Sequence, residues 1–305
     1  MRKEWLGAIS LTLAASIWGG MYVVSKYALG FIEPFTLIWM RYFVAFIVLM
    51  CAWWLFGRER IGRGDWKWIA LVGVIGYVAS ISFQFIGTKL SDAHTGSLVT
   101  AATPAFMVLF ARVILKEKLT PVKVGSLLLA TVGVIIVVGW HVEGTYFIGS
   151  LILVGAAITW ALMSIYVKIA SATLSSLTIT TFAIGIAFVL MTPLMGMEVI
   201  DHGLPTMTGA LWLSVLYVGI ASTAGAFFFW NKGIELMDAS VGSLFFFFQP
   251  LVGGYLGWLV LNEQLDRNFF IGAACIVTAV TWSTLVERRQ KRAISQIEPD
   301  KRHIQ

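Results

Sequence analysis

Ten uninterrupted apolar stretches, each 17–22 residues long, constrain this chain more than any other feature. They run over Leu6–Ser25, Phe35–Phe56, Trp68–Phe85, Gly96–Leu115, Val124–Trp140, Phe147–Val167, Leu177–Met197, Ala210–Trp230, Val241–Leu261 and Phe269–Val286. About 20 apolar residues cover the hydrocarbon core of a bilayer. Lipid satisfies no backbone N–H or C=O, so only helices or closed barrels cross it. Barrel strands alternate apolar and polar residues over about ten positions, whereas these blocks are continuous. The expected fold is therefore an all-α integral membrane protein with ten transmembrane helices. Only 12% of the 305 residues are charged, half the usual share of about 25%, and the short linkers leave no room for a soluble domain.

The net charge of +6 carries topology information rather than a nucleic-acid surface. With the first residue inside, 18 of the 22 Lys and Arg fall in cytoplasmic segments, three (Lys26, Lys89, Arg267) fall outside, and Arg41 lies within a span. Cytoplasmic loops collect Lys and Arg, so both termini are expected in the cytoplasm. The first span is longer than a typical signal-peptide core and no small-residue cleavage site follows it, so it is expected to stay. Cys51 and Cys275 lie inside spans 2 and 10 without paired spacing and read as small core residues.

One phrase occurs twice. LSDAHTGSL at 90–98 returns as LMDASVGSL at 236–244, and the match extends through Pro104/Pro250, Glu117/Glu263 and Leu119/Leu265, always 146 residues apart. A second register, 142 residues apart, pairs Gly7 with Gly149, Trp18 with Trp160 and Lys26 with Lys168. The chain reads as two five-helix units, 6–140 and 147–288, followed by a basic cytoplasmic tail at 289–305. Five is odd, so the second unit enters the membrane from the opposite side. Inverted repeats of this kind place a solute site near the midplane between the halves.

Two five-helix units, Trp18-Gly19 in span 1, and the P-x12-E-x-L endings Pro104…Glu117-x-Leu119 and Pro250…Glu263-x-Leu265 resemble the EamA family of the drug/metabolite transporter superfamily. The resemblance covers nearly all of residues 6–288. It implies a carrier in the cell (inner) membrane, most often an exporter of amino acids, metabolites or drugs. The second unit has Trp160-Ala161 where the first has Trp-Gly, and span 1 holds no glutamate. The proton-exchange mechanism of the related small multidrug resistance proteins therefore does not carry over.

Several polar residues fit structural roles. Asp92 and Asp238 precede spans 4 and 9, where they either cap free backbone N–H groups or take part in gating or ligand contact. Thr120-Pro121 and Asp266 cap spans 5 and 10, and Glu117 and Glu263 sit in the tight turns between. Gly253-x3-Gly257 and Ala221-x3-Gly225 permit close helix approach. Arg41 is different, because its repeat partner is Ala183 and the scaffold does not require it. It either snorkels outward or faces a cavity near Asp92, Glu33 or an anionic substrate group.

The other cavity candidates at membrane depth are Trp18, Tyr22, Tyr77, Gln84, Trp160 and Gln249, with Tyr166 beside them. The runs 227–230 and 245–248 could supply aromatic walls. A carrier for organic solutes needs mostly apolar walls with a few placed polar groups. Pro104 and Pro250 are hinge candidates. Each removes a helix bond, to the carbonyls of Thr100 and Phe246 respectively.

The absences bear on mechanism. There is no G-x4-G-K-[ST] motif to power transport with ATP. All four histidines lie outside the spans, so no intramembrane Ser–His hydrolase is built, and no metal site or cofactor is expected. No acidic residue is deep in a span, which leaves Asp92, His94 or plain exchange for coupling. The expected partners are a small-molecule substrate and the lipid bilayer, with no nucleic acid, in a monomer or homodimer. The alternatives to a carrier are a non-transporting membrane sensor and a channel-like facilitator.

Overall fold

The computed structural model describes residues 2–90, 102–138, 147–261 and 267–301. The described residues form helices and connecting turns, with no strand among them. We number the helices α1 (Arg2–Leu29), α2 (Pro34–Phe56), α3 (Trp66–Leu90), α4 (Thr103–Val113), α5 (Pro121–Val138), α6 (Phe147–Ala170), α7 (Ser176–His202), α8 (Gly209–Leu236), α9 (239–261) and α10 (Arg267–Lys301). Six of them, α1–α3 and α6–α8, are long and apolar enough to cross a membrane, and α4, α5, α9 and α10 contain shorter apolar stretches. α10 runs on to Lys301, so the expected tail continues a helix. Large apolar side chains such as Phe56, Leu128, Val189 and Leu213 project outward, as a lipid-facing surface requires.

The helix boundaries follow local chemistry. Pro34 and Pro121 open α2 and α5, where the missing N–H costs nothing. Thr120 Oγ1 accepts from the Lys123 N–H at 3.3 Å. Ser175 and Thr208 cap α7 and α8 by accepting from Thr178 and Leu211. Lys116, with a left-handed φ of 56°, lets the Glu117 N–H reach the Ala111 carbonyl at 3.1 Å. That wrap of the helix end aims the Glu117 side chain across the molecule.

The expected cap on α9 needs correction. The Asp238 side chain makes no cap bond; its Oδ2 accepts from Lys123 Nζ at 3.2 Å. Glu117 caps α9 instead, accepting from the Ala239 N–H at 2.9 Å and from the Ser240 N–H at 3.3 Å and its hydroxyl. A longer carboxylate arriving from another turn reaches both amides, while Asp238 is held by the lysine. Asp92, Glu263 and Asp266 lie outside the described residues.

Equivalent helices meet head to tail. Glu59, just past α2, accepts from the Ser175 N–H at 2.9 Å, at the start of α7. Glu198, near the end of α7, accepts from Phe35 and Thr36 at the start of α2, at 3.0 and 2.7 Å. α2 and α7 therefore run antiparallel. α5 and α10 do too, because a Cβ on Gly133 would lie 2.8 Å from the Gly272 carbonyl while Gly125 faces Trp282.

Close approaches recur at the two offsets. A Cβ on Gly87 would meet Leu153 and the Gly149 carbonyl, and one on Gly233 would meet Leu11 and the Gly7 carbonyl. Gly73 faces the Ala183 carbonyl as Gly219 faces that of Arg41. Lys26 Nζ donates to the Thr88 carbonyl at 2.9 Å, closing α3. Lys168 Nζ donates to the Ile234 carbonyl at 2.9 Å, closing α8. In α8 the close approach is made by Gly219 and Gly233; Gly225 meets only its own helix. Gly253 does approach α1, where a Cβ added to it would lie 3.5 Å from the Gly19 carbonyl.

Two helices change type midway. Val72–Ser80 of α3 and Tyr217–Gly225 of α8 are nine-residue π-helical segments at matching places. Such widened turns are rare and often mark functional sites. Carbonyls within them are met by side chains. Trp18 Nε1 donates to Ser222 O at 3.0 Å, the Tyr42 hydroxyl donates to Tyr77 O, and Thr223 Oγ1 donates to Val218 O at 2.6 Å.

Candidate functional site

Just past the two π segments, with Ser80 ending the first and Phe227 two residues beyond the second, lies a central cavity of about 30 Å³, little more than room for one water in this closed conformation. Its aromatic walls are Trp18 of α1, Trp160 of α6, Phe227 of α8 and Phe246 of α9. Trp18 is the hub. Its ring lies 5.3 Å from Trp160 edge-on, 5.9 Å from Phe227, 5.5 Å from Trp230 and 5.8 Å from Phe246. Offset and edge-on pairs at these distances are each worth about 0.5–1.5 kcal/mol beyond their buried area. Trp18 and Trp160 are the pair matched 142 residues apart, so side chains matched in sequence touch at the centre.

Polar groups interrupt these walls. Ser80, Gln84, Thr103 and Gln249 line the cavity. Gln84 Nε2 donates to the Tyr22 hydroxyl at 2.8 Å, which places Tyr22 one layer behind. Ser80 Oγ donates to the Ala156 carbonyl at 2.8 Å. The Trp160 indole N–H is buried and has no partner among the described residues.

Tyr77 also lies a layer back, stacked on Phe227 at 4.7 Å. Its hydroxyl accepts from Asn231 Nδ2 at 2.8 Å, and the same amide donates to Thr180 Oγ1 at 2.8 Å. Tyr166 lies against Trp68, 6.0 Å between centroids, and is not among the residues lining the cavity.

Arg41 corrects one of the two readings left open. It is 0% exposed, so it does not snorkel. Its Nε donates to Thr223 Oγ1 at 2.7 Å, Nη2 lies 4.0 Å from Met21 Sδ, and Nη1 is buried without a partner among the described residues. The guanidinium lies over the rings of Phe85 and Phe227, at 5.1 and 5.6 Å. Glu33 does not reach it, being paired with Lys89, and Asp92 lies outside the described residues, as does His94. Met21 and Phe227, its neighbours, both line the cavity.

The two prolines differ in setting. Pro104 stands in the first turn of α4, and Thr100 lies outside the described residues. Pro250 follows a stretch of 3-10 helix, Ser243–Phe247, before α-helix resumes at Phe248. The Phe248 N–H turns to the Phe245 carbonyl, with that of Phe246 beside it, and Pro250 has no N–H to offer Phe246.

Cys51 lies on an outward face and Cys275 is partly buried; only the second fits the expectation of a core residue. Asn231 and Thr223 were not singled out from sequence. Both are fully buried polar side chains within α8, and a polar residue inside an apolar span is the signal that could have found them. Among the described residues no cluster of His, Cys, Asp and Glu could hold a metal.

The model of the EamA-like transporter family matches the chain twice, over residues 5–139 and 147–285. "Uncharacterized transporter YetK" of Bacillus subtilis is 26% identical over 97% of this chain and 92% of its own length. An "Uncharacterized transporter" of Archaeoglobus fulgidus is 24% identical over 90% of this chain and 96% of its own. A solved crystal structure matches with a TM-score of 0.76 at 21% identity, over 93% of this chain and 98% of that one. That likeness bears on the fold alone.

Proposed function

The chain belongs to the EamA-like transporter family, and from that premise we propose that it is an ATP-independent carrier of small organic solutes in the cell membrane, working as an exporter by alternating access. The halves 6–140 and 147–288 act as inverted five-helix repeats, with both termini and the basic segment 289–305 in the cytoplasm. The carrying observation is the central cavity, walled by the matched pair Trp18 and Trp160. The antiparallel contacts of α2 with α7 and of α5 with α10 support the inversion. Two near-equivalent halves have two shapes of similar energy, each open to one face.

Purified protein in liposomes tests this. A carrier saturates and is stimulated by unlabelled solute on the far side, a channel-like facilitator does neither, and a membrane sensor moves nothing. A reporter active only outside the cytoplasm should give signal after His141 and none after Lys118. The reverse pattern would sink the inverted-repeat reading.

Within this scheme Pro250 and Pro104 act as hinges of α9 and α4. The change from 3-10 to α-helix just before Pro250 is a weakened stretch where bending is cheap. Pro250→Ala restores the bond to Phe246 and should slow turnover several-fold while leaving solute affinity nearly unchanged. Wild-type turnover in a folded P250A protein would remove α9 from the moving parts.

A further inference from the structure

We propose that the carried solute is an organic anion with a flat apolar body, an aromatic carboxylate in its simplest form, and that Arg41 selects the charge. This rests on the carrier reading and narrows it. Arg41 and Ala183 occupy equivalent places, since their carbonyls meet the equivalent glycines Gly219 and Gly73. The backbone therefore works without a guanidinium, and the charge must serve something other than packing.

The surroundings of that charge are incomplete. One N–H goes to a neutral hydroxyl, Nη1 has no partner, and no acidic side chain pairs with it among the described residues. A buried cation without a counter-charge is costly, and an anion in the adjoining cavity relieves that cost. Across the cavity wall the equivalent of Thr223 is Tyr77, whose hydroxyl belongs to a neutral network with Asn231 and Thr180. One side of the site is thus cationic and the other is neutral and polar.

Phe227 separates and joins the two sides, stacked on Tyr77 and lying 5.6 Å from the guanidinium carbon. Four rings wall the space, and the Trp160 N–H, without a partner among the described residues, supplies a second donor to a bound oxygen. Among the described residues no carboxylate lines the cavity to receive a cation. Met21, an unbranched side chain between Arg41 and the cavity, can yield without strain. An anion held in the cavity against the edge of Phe227, whose faces carry Tyr77 and the guanidinium, would lie on the order of 9 Å from that charge. At an effective dielectric near 20, Coulomb's law gives a preference on the order of tenfold over a neutral analogue.

The test is equilibrium titration of the full chain in detergent with three probes that share a phenyl ring: phenylacetate, phenylacetamide and phenethylammonium. Phenylacetate should bind about tenfold more tightly than the amide, and the ammonium should not bind measurably. In Arg41→Gln the acid and amide should become equal, and Arg41→Lys should keep part of the preference. Binding of the ammonium as tightly as phenylacetate, in the wild type alone, overturns the inference even if no Arg41 variant folds. So does an unchanged acid-to-amide ratio in a folded R41Q protein, or no binding of phenylacetate. These failures leave the carrier reading standing wherever any solute counter-exchanges in liposomes. Tight phenylacetate binding without exchange of any solute would do the opposite.

Discussion

Replacing Glu117 by alanine should destabilise the protein by roughly 2–4 kcal/mol, an effect combining a lost helix cap with a broken ion pair. The carboxylate caps Ala239 and Ser240 at the start of α9 and faces Lys123 Nζ at 3.4 Å. Lys123 is 8% exposed, so without Glu117 it keeps, among the described residues, only Asp238, 3.2 Å away. The contact joins the turn between α4 and α5 to the opening of α9, one half of the chain to the other. Chemical unfolding in detergent measures the loss. Lys123→Ala in the same background should recover part of it, because the half-satisfied cation is then gone. An E117A protein as resistant as wild type would show that the start of α9 needs no partner from α4.

Trp18→Ala should cost about 3–5 kcal/mol, the range for emptying a large aromatic site, and should abolish transport. Four rings lose their common neighbour, and the Ser222 carbonyl in the π segment loses its donor. Trp18→Phe keeps a ring but not the N–H, so it should fold with a smaller loss and transport slowly. The two variants separate packing from the hydrogen bond. If W18A transports at the wild-type rate, the central aromatic cluster is not the solute path.

Much of the framework could be read from the chain because lipid leaves few choices. Apolar length marks helices, and the pairs Gly7/Gly149, Trp18/Trp160 and Lys26/Lys168 later appear in matching contacts. What stayed hidden depends on tertiary geometry. Nothing local in Val72–Ser80 or Tyr217–Gly225 announces a π-helix; it needs side chains such as Trp18 and Tyr42 arriving from other helices.

Asp238 has the local pattern of a cap, yet Glu117, 121 residues away in sequence, takes the amides. Periodicity could not tell whether Arg41 points to lipid or inward, since both directions exist at one turn of a helix. Its burial depends on Thr223, Phe85 and Phe227, contributed by other helices. Cys51 faces outward for the same reason, one position of an apolar span being indistinguishable from the next.

Alternating access around the Trp18–Trp160 cavity is the central claim, and side-specific labelling tests it most directly. Cys51 and Cys275 are the two cysteines of the chain, so both can be replaced and a single cysteine placed at Ala157, on the cavity lining. Right-side-out and inside-out vesicles are then treated with a membrane-impermeant maleimide. Labelling is expected from both faces, with a solute gradient raising one rate as it lowers the other. Labelling from one face alone, unchanged by any gradient of a bound solute, would contradict it.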